Sequence, residues 1–331
     1  MTMISRARLW KKWQKGLFVF VACVRLRFIN IKPCRCFGML NSSAMGHLGQ
    51  VWAAVNAAGL RLTNLRTVRL SSSDASDIFD VCPAGVVDTL SAAFEIVGPS
   101  ATAAWNDVVE GLSSSLPSSA ASGLIGAASE TESERCLGAF FGGGYQGRAS
   151  RPPQFGHTAA AGFAGSAGGG SSPHSSRAVT ACMDPYVTTV VVLPHIVKRG
   201  AAGHVLQHLQ AALASEQKEP LAITAMQMFD LELITAEEFL EVYQHVAPEY
   251  GEMTAELSSG LCLAIEVRGA DAVARIRHIC GPRDVDIAKQ IRPESIRAKH
   301  GASTVQNAVH CTDLDEDGAT ESEYFFNVLQ K

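Results

Sequence analysis

One six-residue segment occurs twice in this chain, and the repetition fixes the kind of architecture the sequence can adopt. Ala93-Phe94-Glu95-Ile96-Val97-Gly98 recurs as Ala264-Ile265-Glu266-Val267-Arg268-Gly269, and each copy leads into an alanine-rich stretch of helical character. Ile31-Lys32-Pro33 is matched in the same way by Val192-Leu193-Pro194, and sixteen residues separate Ile125 from Phe141 just as they separate His310 from Phe326. Self-similarity over such a distance marks a tandem duplication, each copy being one structural unit. Between the copies the composition collapses to Gly, Ala, Ser and Pro, including Gly168-Gly169-Gly170-Ser171-Ser172-Pro173. Such a stretch buries too little apolar surface to offset the entropy of ordering it. The chain therefore divides into a basic tail or misassembled start (1–24), a first domain (25–141), a flexible linker (142–182) and a second domain (183–331).

Charge is placed unevenly. Residues 1–73 hold twelve Lys or Arg and no acid, although the whole chain carries a net charge of −4. An Arg-rich, acid-free start followed by the apolar run 17–24 has the character of a transit peptide or a short signal core. The alternative reading takes the run and Arg25-Leu26-Arg27-Phe28-Ile29-Asn30-Ile31 as including the first strand of a domain. No run of eighteen apolar residues occurs, so a membrane-spanning helix is excluded, and neither membrane nor nucleic acid is an expected partner. Nine cysteines without a CxxC pair argue against a disulfide framework or a zinc ribbon and point to a reducing compartment.

The second half has the clearer pattern. Residues 187–193 form a β-branched run suited to a buried strand, and Val205, Leu206, Leu209, Ala212 and Leu213 share one helical face. Residues 223–229 predict a second strand, and Thr235-Ala236-Glu237-Glu238 has the form of a capping box opening a helix through Val246. Leu261, Leu263, Ile265 and Val267 alternate with other residues as a half-buried strand would. Val273, Ile276 and Cys280 mark a helix, 305–309 a last strand, and Phe325, Val328 and Leu329 a terminal helix. Strands and helices alternating around a short antiparallel sheet make an α+β domain of the ferredoxin-like type.

Chemistry-bearing residues gather in the same half. Gln306-Asn307-Ala308-Val309-His310-Cys311-Thr312-Asp313 ends a short apolar stretch on a histidine, Pro293-x-Ser295-Ile296-Arg297 precedes it, and Glu321 follows eleven residues later. With Pro194-His195-x-Val197-x-Arg199-Gly200, Tyr243, Gly281-Pro282 and Tyr324-Phe325-Phe326, these segments resemble the nucleoside diphosphate kinases. The two-domain arrangement is similar to the nucleoside diphosphate kinase 7 type of cilia and flagella. The resemblance covers residues 186–331 well and 26–141 poorly.

It implies two tandem ferredoxin-like domains with four-stranded antiparallel sheets, the first degenerate. It also implies transfer of the γ-phosphate of ATP to a nucleoside diphosphate through a phosphohistidine at His310, with Mg²⁺ bound through the nucleotide phosphates. An imidazole nitrogen can accept and release a phosphoryl group through a labile N–P bond. In that scheme Glu321 orients the ring, Thr312 contacts the phosphohistidine and Tyr243 approaches it. Arg277, Arg283 and Arg297 meet the phosphates, Asn307 the ribose and Tyr250 the base. The family's strand lysine falls at Leu193. The first half keeps Lys32 but has Ile125 for the histidine and Asn106 or Asp107 for the helix arginine. The implied partners are ATP and nucleoside diphosphates. A competing reading is a non-catalytic scaffold packing against tubulin or another axonemal protein, and the implied location is cytoplasmic or ciliary.

Overall fold

A computed structural model describes residues 34–127, 129–142, 180–215 and 219–330. The expectations for Lys32, the 17–24 run and most of the linker lie outside the described residues. Among the described residues no helix is long and apolar enough to cross a membrane.

The first half contributes β1 (Cys34–Leu40), β2 (Arg61–Val68), β3 (Ser91–Gly98) and β4 (Leu124–Gly126). The second contributes β5 (Val187–Val192), β6 (Ala222–Asp230), β7 (Leu261–Arg268) and β8 (Val309–Cys311). Each half is a four-stranded antiparallel sheet, and the two join edge to edge in one eight-stranded sheet of order β4-β1-β3-β2-β6-β7-β5-β8. The duplication thus builds an internal pseudo-dimer.

The repeated glutamate has a physical role in both copies. Glu95 accepts from Thr63 Oγ1 at 3.1 Å and pairs with Arg35 at 3.3 Å. Glu266, fully buried, accepts from the Thr224 and Ser322 hydroxyls and from the Cys182 and Met183 amides at 2.7 and 3.0 Å. Thr63 and Thr224 are the bulged residues of β2 and β6, where the ladder skips between Leu62 and Asn64 and between Ile223 and Ala225. A buried carboxylate must be fully hydrogen-bonded, so the Glu and its bulged Thr persist as a pair.

Register corrects several expectations. Val192 faces Leu263 and Leu40 faces Ala92, so the counterpart of Val192-Leu193-Pro194 is Leu40-Asn41-Ser42 and not Ile31-Lys32-Pro33. The first half has therefore lost the strand-end lysine as well; its first described strand is Cys34–Leu40, and the expectation for 25–31 lies outside the described residues. β7 is buried on both faces, because Leu263, Ile265 and Val267 enter one apolar cluster while Cys262 and Ala264 enter another. Thr235 lies inside the helix Leu233–Phe239, whose N-cap is Glu232, so no capping box forms and the chain turns into a 3₁₀ segment at Glu241–Tyr243. The last strand begins at Val309, since Ala308 adopts φ 76° and breaks the extended course expected from 305. Helix Asp317–Phe326 and a 3₁₀ turn Val328–Gln330 end the described chain.

Contacts in the sheet and in the helices above it fasten the seam. Arg66 of β2 faces Gln227 of β6, and beside them the Met226 amide donates to Thr67 Oγ1 at 2.9 Å. Above the sheet, helix Leu48–Ala57 crosses helix Ala202–Ser215 at a pair of glycines. A Cβ on Gly49 would lie 2.3 Å from the Gln207 amide nitrogen, and one on Gly203 would lie 2.4 Å from that of Ala53. Gln210 caps the crossing, accepting from the Gly49 amide at 3.0 Å and donating to the Met45 carbonyl at 2.7 Å. Trp52 and Val55 share one core with Leu206 and Leu209, so a single apolar cluster spans the seam. Gly49→Ala should push the helices apart and cost about 1–3 kcal/mol, as overpacking does. Denaturant unfolding measures it, and unchanged stability would show that the crossing is looser than described.

Candidate active site

Strand order puts β8 at the outer end of the sheet, away from the seam, and His310 is its central residue. The Leu193 amide donates to the Ala308 carbonyl at 3.0 Å, tying the end of β5 to the left-handed residue that precedes β8. Val191 faces His310 across the ladder, as Met39 faces Ile125 in the first half, which confirms Ile125 as the counterpart of the histidine.

Glu321 reaches His310 Nε2 with Oε2 at 3.1 Å, and Thr312 Oγ1 donates to the same oxygen at 2.9 Å. A carboxylate only accepts, so the proton sits on Nε2 and the Nδ1 lone pair is left unprotonated. The His310 and Glu321 side chains are only 11% and 15% exposed. Burial alone would lower the His310 pKa, but the charge of Glu321 and its hydrogen bond outweigh that and raise it above 6.5. Phe239 packs edge-on to the imidazole at 5.1 Å and Tyr243 at 6.3 Å. The Tyr243 hydroxyl donates to Asp313 Oδ2 at 2.6 Å; burial and that bond hold its proton well above the usual phenol range.

Beside the histidine is a pocket with about 60 Å³ of free space, whose lining includes Leu193, Tyr243, Arg283, Arg297, Asn307 and His310. Arg297, 8% exposed, donates through Nε and Nη2 to the Val309 carbonyl at 3.2 and 3.1 Å and through Nη1 to the Gly281 carbonyl at 2.7 Å. Its position is set by Ser295, whose hydroxyl caps the helix Ile296–His300. Asn307 donates to the Arg283 carbonyl at 3.4 Å. Arg283 spans the pocket wall, pairing with Glu249 at 3.3 Å and touching Met253 Sδ at 2.9 Å.

Three expected residues are placed differently. Tyr250 is outside the pocket lining, its hydroxyl on the Glu237 carbonyl at 3.1 Å, and Met253, one helical turn on, faces the pocket instead. Thr312 is fully buried and works through Glu321. Arg277 is outside the lining too: it donates to the Asp313 carbonyl at 2.6 Å and neutralises that carboxylate, which does line the pocket. Sequence reasoning assigned no role to Asp313, Glu256 or Phe239. The unbroken run from His310 to Asp313 was the available signal for the first, and helix phase, unreadable locally, placed the others.

In the equivalent region of the first half the strand-end side chain is engaged locally. Asn41 donates to the Ala84 carbonyl at 2.9 Å and accepts from the Ser43 amide at 3.0 Å and hydroxyl at 2.6 Å. The left-handed caps Ser100 and Asp271 align the two helices that follow, which makes Asn106 the counterpart of Arg277.

The family model described as nucleoside diphosphate kinase matches residues 187–330. Nucleoside diphosphate kinase homolog 7 of Rattus norvegicus is 31% identical over 312 residues, 92% of this chain and 73% of the rat protein. The chain belongs to the nucleoside diphosphate kinase family. Within it, the long match is to the homolog 7 proteins of rat and mouse, whereas the nucleoside diphosphate kinase of Aquifex aeolicus, 32% identical, covers 43% of this chain and 95% of its own length. A solved orthorhombic form of the Aquifex enzyme aligns over 43% of this chain and 94% of its own, at TM-score 0.38.

Because Glu321 raises the His310 pKa, Nδ1 is blocked by a proton as pH falls through that raised value. By linkage, the contact stabilises the fold below the unfolded value near 6.5 and loses that contribution as pH rises through the folded one. Glu321→Gln should move the His310 titration to lower pH, read from its ring signals by NMR. An unmoved titration would remove Glu321 from this role.

Proposed function

We propose that the second half transfers the γ-phosphate of ATP to a nucleoside diphosphate through a phosphohistidine on His310. The observation that carries this reading is the Nε2 contact to Glu321, which leaves Nδ1 as the nucleophile of a histidine that lines a pocket together with Arg283 and Arg297. In the first half-reaction Nδ1 attacks the γ-phosphorus, an N–P bond forms, and the bond to the departing ADP oxygen breaks. The incoming nucleoside diphosphate reverses these events with its own terminal oxygen. Glu321 stabilises the ring as it becomes cationic, and Thr312 holds that carboxylate in place.

Asn307 and Arg297 are the residues positioned for ribose and phosphate, and Arg283 with Met253 offers a planar cation and a polarisable sulfur to the base in place of Tyr250. Magnesium is a hard cation, and Asp313 and Glu256 are hard oxygen donors in the lining, so the pocket suits an ion that arrives on nucleotide phosphates. When bound, it would spread the negative charge of the γ-phosphate.

Leu193 lowers the expected rate. It lines the pocket where the family lysine falls, and loss of one such cation costs roughly a hundredfold. That apolar substitution also favours a second reading, a paired-domain scaffold that keeps the fold and docks on tubulin or another axonemal protein. Incubation with γ-labelled ATP and magnesium separates the two. The catalytic reading predicts an acid-labile, alkali-stable label that His310→Asn abolishes; absence of label in the parent protein favours the scaffold.

A further inference from the structure

The seam between the halves forms a second cleft, about 550 Å³, that shares no lining residue with the His310 pocket. Arg61 enters it from the first half and Lys198 and Arg199 from the second, against Asp230 as the single acid of the lining. Arg199 donates to the His300 carbonyl at 2.9 Å, whereas the side chains of Arg61 and Lys198 make no hydrogen bond or ion pair among the described residues. Gly260 leaves room for the lysine stem: a Cβ there would stand 3.1 Å from Lys198 Cε. Asp230 offsets one of these three exposed charges, and the remaining excess on a concave wall makes the potential in the cleft positive.

Duplication does not require these charges. Arg61 faces Val97 and Ala222 faces Arg268, and Val97 and Arg268 occupy the same place in the repeat, so Ala222 is the pseudo-equivalent of Arg61. The segment from Asn41 to Gly49 corresponds to that from Leu193 to Gly203, is two residues shorter and contains no Lys or Arg. The positions equivalent to Arg61, Lys198 and Arg199 therefore hold no Lys or Arg on the other side of the pseudo-twofold axis, where the one cation at an equivalent place, Arg69 for Asp230, is engaged on the Asp88 carbonyl. Packing of the two halves, which is shared by both sides, does not account for that difference.

We propose that this seam cleft binds a small polyphosphate anion, free or carried by a nucleotide, gripped by Arg61 from one half and Lys198 from the other. Several cations spread over a wall of this size match a chain of phosphates better than one phosphate. The contact does not depend on chemistry at His310. Because its residues come from both halves, ligand bound there would also strengthen the seam.

Calorimetric titration of the full chain at low salt, with inorganic tripolyphosphate, ATP and adenosine in parallel, tests the proposal. Tripolyphosphate is expected to bind, and the Arg61→Glu/Lys198→Glu variant to bind it at least about tenfold more weakly, as loss of a clamping charge pair implies. ATP binding retained in that variant reports the His310 pocket, so failure of the seam site is distinguishable from failure of the catalytic reading. Heat from ATP that the variant loses, without heat from tripolyphosphate, assigns the nucleotide-borne source. Arg61→Gln/Lys198→Gln, with its melting curve matched to the parent, guards against a folding effect of the charge reversal. Equal tripolyphosphate affinity in parent and variants, or no binding of either phosphate ligand attributable to these residues, overturns the proposal.

Discussion

The edges of β2 and β6 are spent on each other, and this single join organises the molecule. A four-stranded sheet standing alone would present β2 or β6 as an open edge, with unpaired amides and carbonyls inviting association. Here the two edges meet at Arg66 and Gln227, and the glycine crossing of the helices above lets one apolar core run through both halves. The first half therefore covers the open edge of the second whatever its own chemistry. That freedom explains how Ile125 and Asn41 came to stand where a phosphoryl site needs a histidine and a lysine while the buried Glu95 and its partner Thr63 were kept.

At the far end of the sheet, the remaining site is built by an economy of hydrogen bonds. Glu321 fixes one ring nitrogen of His310, Thr312 fixes Glu321, and the Arg297 fork is immobilised on the Val309 and Gly281 carbonyls. Preorganisation of this kind removes the cost of ordering charged side chains when the nucleotide arrives. Leu193 is the exception: an apolar side chain stands in the pocket wall at the end of β5, in the place of a cation.

How much of this was legible depended on whether a signal was local. The Glu95 and Glu266 segments could be read because a buried carboxylate in a strand is rare and recurred with its flanking pattern. His310, Glu321 and Arg297 could be read because their motif is contiguous, or nearly so. β1 was not read because Cys-Arg-Cys-Phe-Gly-Met-Leu lacks the β-branched look of a strand; the strand expected at 25–31 lies outside the described residues. Tyr250 was chosen as an aromatic of suitable position, but helix phase turned Met253 toward the pocket. The seam was invisible, since pairing of β2 with β6 depends on two edges more than a hundred and fifty residues apart in sequence.

The central claim is that one site, in the second half, retains the machinery of phosphoryl transfer and is limited by the missing cation at position 193. Single-turnover rates of phosphohistidine formation from MgATP, compared for the parent, Leu193→Lys and Asn41→Lys, test it most directly. The account predicts an increase on the order of a hundredfold for Leu193→Lys and none for Asn41→Lys, because Ile125 leaves the first half without an acceptor. Equal rates for Leu193→Lys and the parent, or a gain from Asn41→Lys, would contradict it.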